Sequence, residues 1–390
     1  MQQRMTGSRV AEEATGTFFL SFVREFGLRL RADVLLYGLI CAYAAAGIAL
    51  LWSSGKLAME SYSVYFVQWP KMFLLIMPML AIVFDSIMLV HRFNNRRRLV
   101  FRRGFSPRRV ASLLAGMLLM IGLMFFQGTF TSIKNMLPIL WGGFPYDHAQ
   151  ATIDAWLHFG KDPWRWLHAI GGYHWVLAVV EFNYNVLWFV ICFGALFFVA
   201  TSPAADRVRR RYFLLFLFVW VTCGNVLAGI FLSAGPVFYG AVSGDQGRYA
   251  ELSAFLSTSH SGNSAATYQT YLWDLYVKGL PGFGGGISAF PSVHVGLITL
   301  NALFAYEYSR RLGALAFAYV AFVLASSVYL GWHYAIDGYV SIIVVLLGYR
   351  IASAIGRRPA NTLRPAVAVP SAGGGILSGS APAPIQNSAG

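Results

Sequence analysis

Eight runs of predominantly apolar residues, each of about the length needed to cross hydrocarbon, constrain this chain more than any other feature: 34–52, 72–90, 110–130, 175–200, 212–234, 289–308, 314–330 and 336–354. A bilayer core holds no water to satisfy exposed backbone groups, so runs of this kind predict helices that bond internally. Composition agrees, because 57% of the 390 residues are apolar and only 12% charged, far from the balance of a soluble domain. The expected fold is an all-α integral membrane protein with about eight transmembrane helices and no internal repeat. Glu181, Asn183 and Asn185 interrupt the fourth run. Asp85 falls in the second, where a helix cap or a pairing with Arg92 is expected.

The net charge of +14 could suggest nucleic acid, but the positions of the basic residues give a better account. With the N-terminus in the cytoplasm, the inner segments hold 23 of the 30 Lys and Arg residues and the outer segments the other seven. Every inner connection is then basic, the asymmetry expected of an even-numbered bundle with both termini cytoplasmic. No nucleic-acid partner is expected. Cys41, Cys192 and Cys223 fall inside apolar runs and read as packing residues, with no Cys-x-x-Cys pair. About thirty residues that include Glu12, Glu13 and five arginines precede the first run, so a cleavable signal peptide is not expected. Within them, 18–30 predicts an amphipathic helix lying at the interface, with Arg24, Arg29 and Arg31 toward the headgroups. Beyond Gly356 the composition turns to Pro, Ala, Gly and Ser, which predicts disorder.

The cytoplasmic connections are short, whereas two outer ones, 131–174 and 235–288, are long and rich in Trp, Tyr, Phe, Gly and Pro. Function is expected on that outer side. Of the eight histidines, two fall at the outer membrane depth beside a partner: His294 at the start of the sixth run, and His333 just after the seventh, in "SSVYLGWHYAIDGY". Asp337 follows His333 by four residues, close enough to meet it across one helical turn. Ionisable groups at membrane depth are costly to keep, so a cluster of three points to function rather than to mutual satisfaction near the headgroups.

The residue types suggest their roles. Asp337 would hold the Nδ1–H tautomer of His333 and leave Nε2 free as a nucleophile. His294, unpaired, would supply a proton to a leaving oxygen. Pro291 opens a helix, and Ser292 with the glycines before it, Gly286 among them, would offer backbone N–H groups and a positive helix end to an anion. The anion that calls for this set is a phosphoryl group on a lipid. Two histidines and a carboxylate are also a zinc ligand set, but the anion-binding helix start would then be superfluous and no cysteine ligand is present. No metal or other cofactor is expected.

"PSVH" at 291–294 resembles the P-S-G-H signature of the type 2 phosphatidic acid phosphatase superfamily, and "SSVYLGWHYAID" at 326–337 resembles its S-R-x5-H-x3-D signature. The resemblance implies that His333 accepts the phosphoryl group, Asp337 orients it and His294 is the general acid. It also implies a six-helix core with two helices added in front. The chain then divides into a cytoplasmic segment 1–33, two added helices in 34–109, a catalytic membrane domain 110–356 and a tail 357–390. Three positions depart from the pattern. Val293 replaces the signature glycine, Ser327 stands where the phosphate-binding arginine usually is, and the K-x6-R-P signature has no clean copy, its remnant being "SIKNMLP" with Lys134 and Pro138, and with Trp141 in the arginine's place. Phosphate binding must therefore use another outer cation. Lys134 ranks first and Lys278 second, ahead of Lys56, Lys71, Lys161, Arg165 and Arg248.

These losses, together with "HFGKDPW" at 158–164 and "SAGPVFYG" at 233–240, look like the inositol phosphorylceramide synthase and sphingomyelin synthase branch. The resemblance implies a phosphotransferase that moves a phosphoryl or phospho-headgroup, such as inositol phosphate, from a membrane phospholipid to a lipid alcohol such as ceramide through a phosphohistidine. With water as acceptor the same site would be a lipid phosphate or isoprenyl diphosphate phosphatase. A non-enzymatic transporter or scaffold is the rival class. It predicts ionisable residues spread along the spans, and the middle depth here has little beyond Asp85 and Glu181.

Overall fold

The computed structural model describes residues 2–92, 104–259 and 261–356. Within these, every regular element is a helix. Seven helical stretches are long and apolar enough to cross a membrane: Gly16–Ser53, Leu57–Phe84, Pro107–Trp141, His174–Thr201, Pro203–Ile230, Arg310–Tyr329 and Ala335–Ile355. The expected disorder of the tail, residues 93–103 of the basic loop and the expected cap or pairing of Asp85 with Arg92 lie outside what is described.

Helix α1 (Gln2–Ser53) is unbroken, so the expected interfacial helix over 18–30 is continuous with the first span. Arg29 does not turn to headgroups. It pairs with Asp206 at 2.9 Å, and one turn further along α1 Asp33 pairs with Arg209; all but Asp206 are buried. A charge withdrawn from water needs a partner of opposite sign, and these two ion pairs fasten α1 to the start of α9 described below. Helices α2 (Tyr62–Pro70) and α3 (Met77–Arg92) form the second span. A π-helical turn at Lys71–Ile76 joins them, immediately after Pro70, which has no N–H to continue the α pattern.

Helix α4 (Pro107–Trp141) is the central column. It carries Leu119, Leu123 and Phe126 into the core, packs along α1, and receives α2 through polar links at membrane depth, Trp69 Nε1 to the Met120 carbonyl at 2.7 Å and Tyr65 Oη to Thr131 Oγ1 at 2.8 Å. A Cβ on Gly116 would stand 2.6 Å from the Ala200 carbonyl oxygen, so only a glycine lets α4 approach the fourth span this closely. Two short helices, α5 (Asp147–Leu157) and α6 (Pro163–Gly171), occupy the first long connection. The fourth span comprises α7 (His174–Phe182), a π turn at Asn183–Leu187 and α8 (Trp188–Thr201). Its interrupting polar groups are met sideways. Glu181 accepts from Ser259 Oγ at 2.7 Å and the Ala265 N–H at 2.8 Å, and Asn183 donates to Ser326 Oγ at 3.0 Å.

Helix α9 (Asp206–Val221) begins the fifth span, and α10 (Ala265–Lys278) is the longest element of the second connection. Helix α11 (Val293–Tyr308) has only 16 residues, which is why seven rather than eight helices reach spanning length. Residues 289–292 are apolar enough to read as its first turn, but their backbone bonds go elsewhere. Ala289 N–H donates to the Ser233 carbonyl at 2.8 Å and Ser292 N–H to the Asp337 carbonyl at 3.1 Å, while Pro291 has no N–H. Helices α12 (Arg310–Tyr329) and α13 (Ala335–Gly356) complete the bundle and pack with α11.

Candidate active site

The starts of α11 and α13 meet at one end of the bundle. Ser292 caps α11, its Oγ accepting from the Val295 N–H at 3.4 Å, and this sets His294 in the first turn as expected. The Ser292 N–H is already spent on Asp337, so the N–H groups left without an acceptor at this helix start, among the described residues, belong to Val293 and His294. His294 sits in an aromatic slot, 4.8 Å from the ring of Tyr184 and 4.1 Å from that of Trp188. Trp188 Nε1 also donates to the His294 carbonyl at 3.1 Å.

His333 lies in the turn between α12 and α13. The Ser327 carbonyl accepts from the N–H groups of Trp332 at 3.0 Å and His333 at 3.4 Å. The serine that stands in place of the signature arginine thus shapes the turn carrying the histidine, and its own Oγ donates to the Leu324 carbonyl at 2.7 Å. His333 Nδ1 is 2.7 Å from the Ala289 carbonyl and 3.3 Å from Asp337 Oδ2. Both neighbours are acceptors, so Nδ1 carries the proton and Nε2 keeps its lone pair. The spacing to Asp337 was legible, but the closer orienting group is a backbone carbonyl 44 residues upstream. Asp337 Oδ2 is shared with the Tyr334 N–H at 3.0 Å. Burial, with Lys134 nearby, pushes the His333 imidazole down to about 3, against the pull of the Ala289 bond. The ring is therefore neutral at pH 7.

The His294 and His333 ring centroids are 6.4 Å apart. An attacking nitrogen about 3 to 3.5 Å from phosphorus, opposite a donor about 2.6 to 3.2 Å from the departing oxygen, spans a gap of this order. Lys134 is close enough to act electrostatically on both imidazoles. Among the described residues no carboxylate or hydrogen-bond partner engages it.

The other outer cations are committed or turned to the surface. Arg248 is bound by Asp162 at 2.8 Å, Arg165 by Glu251 at 2.5 Å and Lys278 by Asp274 at 3.1 Å, while Lys161 lies 4.9 Å from the Trp166 ring centre and Lys56 and Lys71 are exposed. Lys278 is thus not gathered to the histidines, because its partner on the preceding turn of α10 holds it at the surface. Gly286 has φ 86°, and a Cβ there would stand 2.9 Å from Lys134 Cγ and 3.0 Å from Asn135 Oδ1. Gly286 thus packs closely against the Lys134 side chain. Trp141 ends α4 half exposed, with Nε1 donating to the Gly229 carbonyl at 2.6 Å.

Two carboxylates that sequence reasoning passed over brace this end of the bundle. Asp147 and Asp154 are seven residues apart on α5 and so share one face, and both are buried. Asp154 accepts from the Ala335 and Ile336 N–H groups at 3.0 and 3.1 Å, capping α13. Asp147 accepts from the Ala234 and Gly235 N–H groups at 2.6 and 2.9 Å and from Tyr334 Oη at 2.8 Å. The i, i+7 spacing is visible in the sequence, but it lies in a long outer connection rather than in an apolar run. Among the described residues no three His, Cys, Asp or Glu side chains stand close enough to hold a metal ion.

A neutral, oriented imidazole, a second imidazole across a headgroup-sized gap and a half-buried lysine, uncommitted among the described residues, beside both form a site suited to nucleophilic displacement at an anionic centre. No curated protein and no solved structure matches the chain. The family model described as the PAP2 superfamily matches residues 149–351, a stretch that holds both histidines, Asp337 and Asp154. Over that stretch, more than half its length, the chain carries the family's pattern, and it belongs to the PAP2 superfamily.

Proposed function

We propose that the protein is a membrane lipid phosphotransferase working through a phosphohistidine on His333, and the observation that carries this reading is the 6.4 Å separation of the two imidazoles, His333 buried and His294 half-buried. Membership of the PAP2 superfamily supports a lipid phosphatase or phosphotransferase. In the first step His333 Nε2 attacks the phosphorus of a phospholipid, and the bond from phosphorus to the glyceride oxygen breaks. His294, protonated beside the substrate anion, gives its proton to that oxygen, and diacylglycerol leaves. In the second step the hydroxyl of a lipid alcohol gives its proton to neutral His294 and attacks the same phosphorus. The P–N bond breaks and His333 is restored. Lys134 and the α11 N–H groups hold the phosphoryl oxygens in both steps.

Transfer to an alcohol rather than to water is supported by the walls of the site: Tyr184 and Trp188 cover His294, and His333 is 7% exposed. The loss of the K-x6-R-P signature supports the inositol phosphorylceramide synthase-like branch, with an inositol phosphate headgroup and a ceramide-type acceptor. The basic inner segments support cytoplasmic termini and a site on the extracytoplasmic face. The test is purified full-length protein in liposomes of phosphatidylinositol with ceramide. The expected products are diacylglycerol and a phosphorylated ceramide in equal amounts. Release of water-soluble phosphate in their place assigns the phosphatase reaction, and neither product in any lipid mixture overturns the enzymatic reading.

A further inference from the structure

A ring of hydrogen bonds joins Asp147 to the nucleophile without touching it. Asp147 accepts the N–H groups of Ala234 and Gly235. The neighbouring Ser233 carbonyl receives the Ala289 N–H at 2.8 Å, and the Ala289 carbonyl receives His333 Nδ1 at 2.7 Å. From His333 the chain passes to Tyr334, whose hydroxyl returns to Asp147 at 2.8 Å. Gly235 is pressed against the same turn, since a Cβ there would stand 2.7 Å from the Trp332 carbonyl oxygen.

From this closed ring we infer that Asp147 is a positioning residue for His333: it fixes the 233–235 segment that holds the Ala289 carbonyl, and through Tyr334 it fixes the turn that carries the imidazole. The inference rests on His333 being the nucleophile. Asp147 reaches three donors with two oxygens in a site closed to water. An amide has one acceptor oxygen, and its NH2 group faces a donor whichever way it turns. Asp147→Asn thus keeps size and shape but breaks at least one link of the ring. A ring that tilts His333 by a fraction of an ångström lowers the rate of attack without altering where the lipid binds.

The test is phosphorylation of the full-length protein in liposomes with phosphorus-labelled phospholipid, followed in time, with Asp147→Asn and Tyr334→Phe beside His333→Ala. Asp147→Asn is expected to label to the same final stoichiometry about 10- to 100-fold more slowly, the range seen when a supporting shell is lost, with KM within about twofold of wild type. Tyr334→Phe, which removes one donor and no backbone contact, is expected to slow labelling by about threefold in the same way. Wild-type labelling rates in both variants, or a fall in final stoichiometry with no change in rate, overturn the inference. Should Asp147→Asn not yield folded protein, the labelling rate of Tyr334→Phe decides alone. Label retained in His333→Ala would instead overturn the phosphohistidine reading on which the inference stands.

Discussion

Two histidine–aspartate pairs with the same four-residue spacing sit near one another in this bundle, and they differ at a single nitrogen. In the first, His158 Nδ1 is 2.6 Å from the Asp154 carbonyl and 3.7 Å from the Asp154 carboxylate. In the second, His333 Nδ1 is 2.7 Å from the Ala289 carbonyl and 3.3 Å from the Asp337 carboxylate. In both, a backbone carbonyl is the nearer acceptor to Nδ1 and a carboxylate the farther. His158 Nε2, however, is taken by Tyr339 Oη at 3.0 Å, whereas among the described residues no group engages His333 Nε2, and its ring faces His294 with Lys134 near. Spacing and a carboxylate therefore mark only a held imidazole. On the proposed mechanism, what would separate a reactive pair from a bracing one is an unspent nitrogen facing a second proton carrier and a cation.

The largest effect that would break this contrast is at the two imidazoles themselves. His333→Ala is expected to lower turnover by about 10⁴-fold or more, as loss of a nucleophile does. His158→Ala is expected to stay within about threefold of wild type. Equal losses in steady-state lipid transfer by the two folded variants would erase the distinction.

The lysines extend it. Lys134→Met is expected to cost about 10²- to 10³-fold in kcat, the loss typical of one charge-stabilising donor, and Lys278→Ala less than twofold; the reverse order would return Lys278 to the site. Gly286→Ala introduces a methyl group 2.9 Å from Lys134 Cγ at a backbone φ of 86°. It is expected to lower kcat about tenfold, with no further loss when added to Lys134→Met. Additive losses in that double variant would show that the glycine acts apart from the lysine.

The smallest effect concerns stability rather than rate. Burial pushes the Asp147 carboxyl up to about 6, outweighing the bonds from Ala234, Gly235 and Tyr334. Its folded pKa thus lies above the unfolded value of about 3.9. Stability from the protonated form is present below about pH 4 and is lost as pH rises through about 6, for a total on the order of 2–3 kcal/mol. Asp147→Asn removes this component. Chemical denaturation of both proteins in detergent at pH 4 and pH 7 should show wild type losing stability relative to the variant over that interval, and a constant difference would refute the assignment.

Much of this was legible in the chain. Apolar length locates the spans, because hydrocarbon leaves the backbone few alternatives. His294, His333 and Asp337 are legible because topology brings them to one depth and the turn spacing pairs two of them. Hydropathy does not report where backbone bonds go, so it extends the sixth run through 289–292, residues whose N–H groups serve Ser233 and Asp337 instead. Arg29 turns inward because its partner, Asp206, lies 177 residues away. Asp147 and the Ala289 carbonyl escape any local pattern for the same reason: their partners, two backbone N–H groups and Tyr334 Oη for the first and the His333 ring for the second, come from distant segments. Lys134 and Lys278 are equally basic letters, and only the presence of Asp274 one turn before Lys278 separates them.

The shortness of α11 has a further consequence. At about 1.5 Å per residue, its 16 residues reach about 24 Å, whereas the hydrocarbon layer is about 30 Å thick. If its Tyr308 end rests at one boundary, with Arg310 and Arg311 just beyond, its His294 end stops several ångströms beneath the other. Reaction then occurs in a dimple sunk into the leaflet, where a headgroup must be drawn down while its acyl chains stay immersed. A water-soluble ester gains no anchorage from that descent. On the proposed lipid chemistry, the depth of such a floor would favour molecules that arrive sideways through the bilayer.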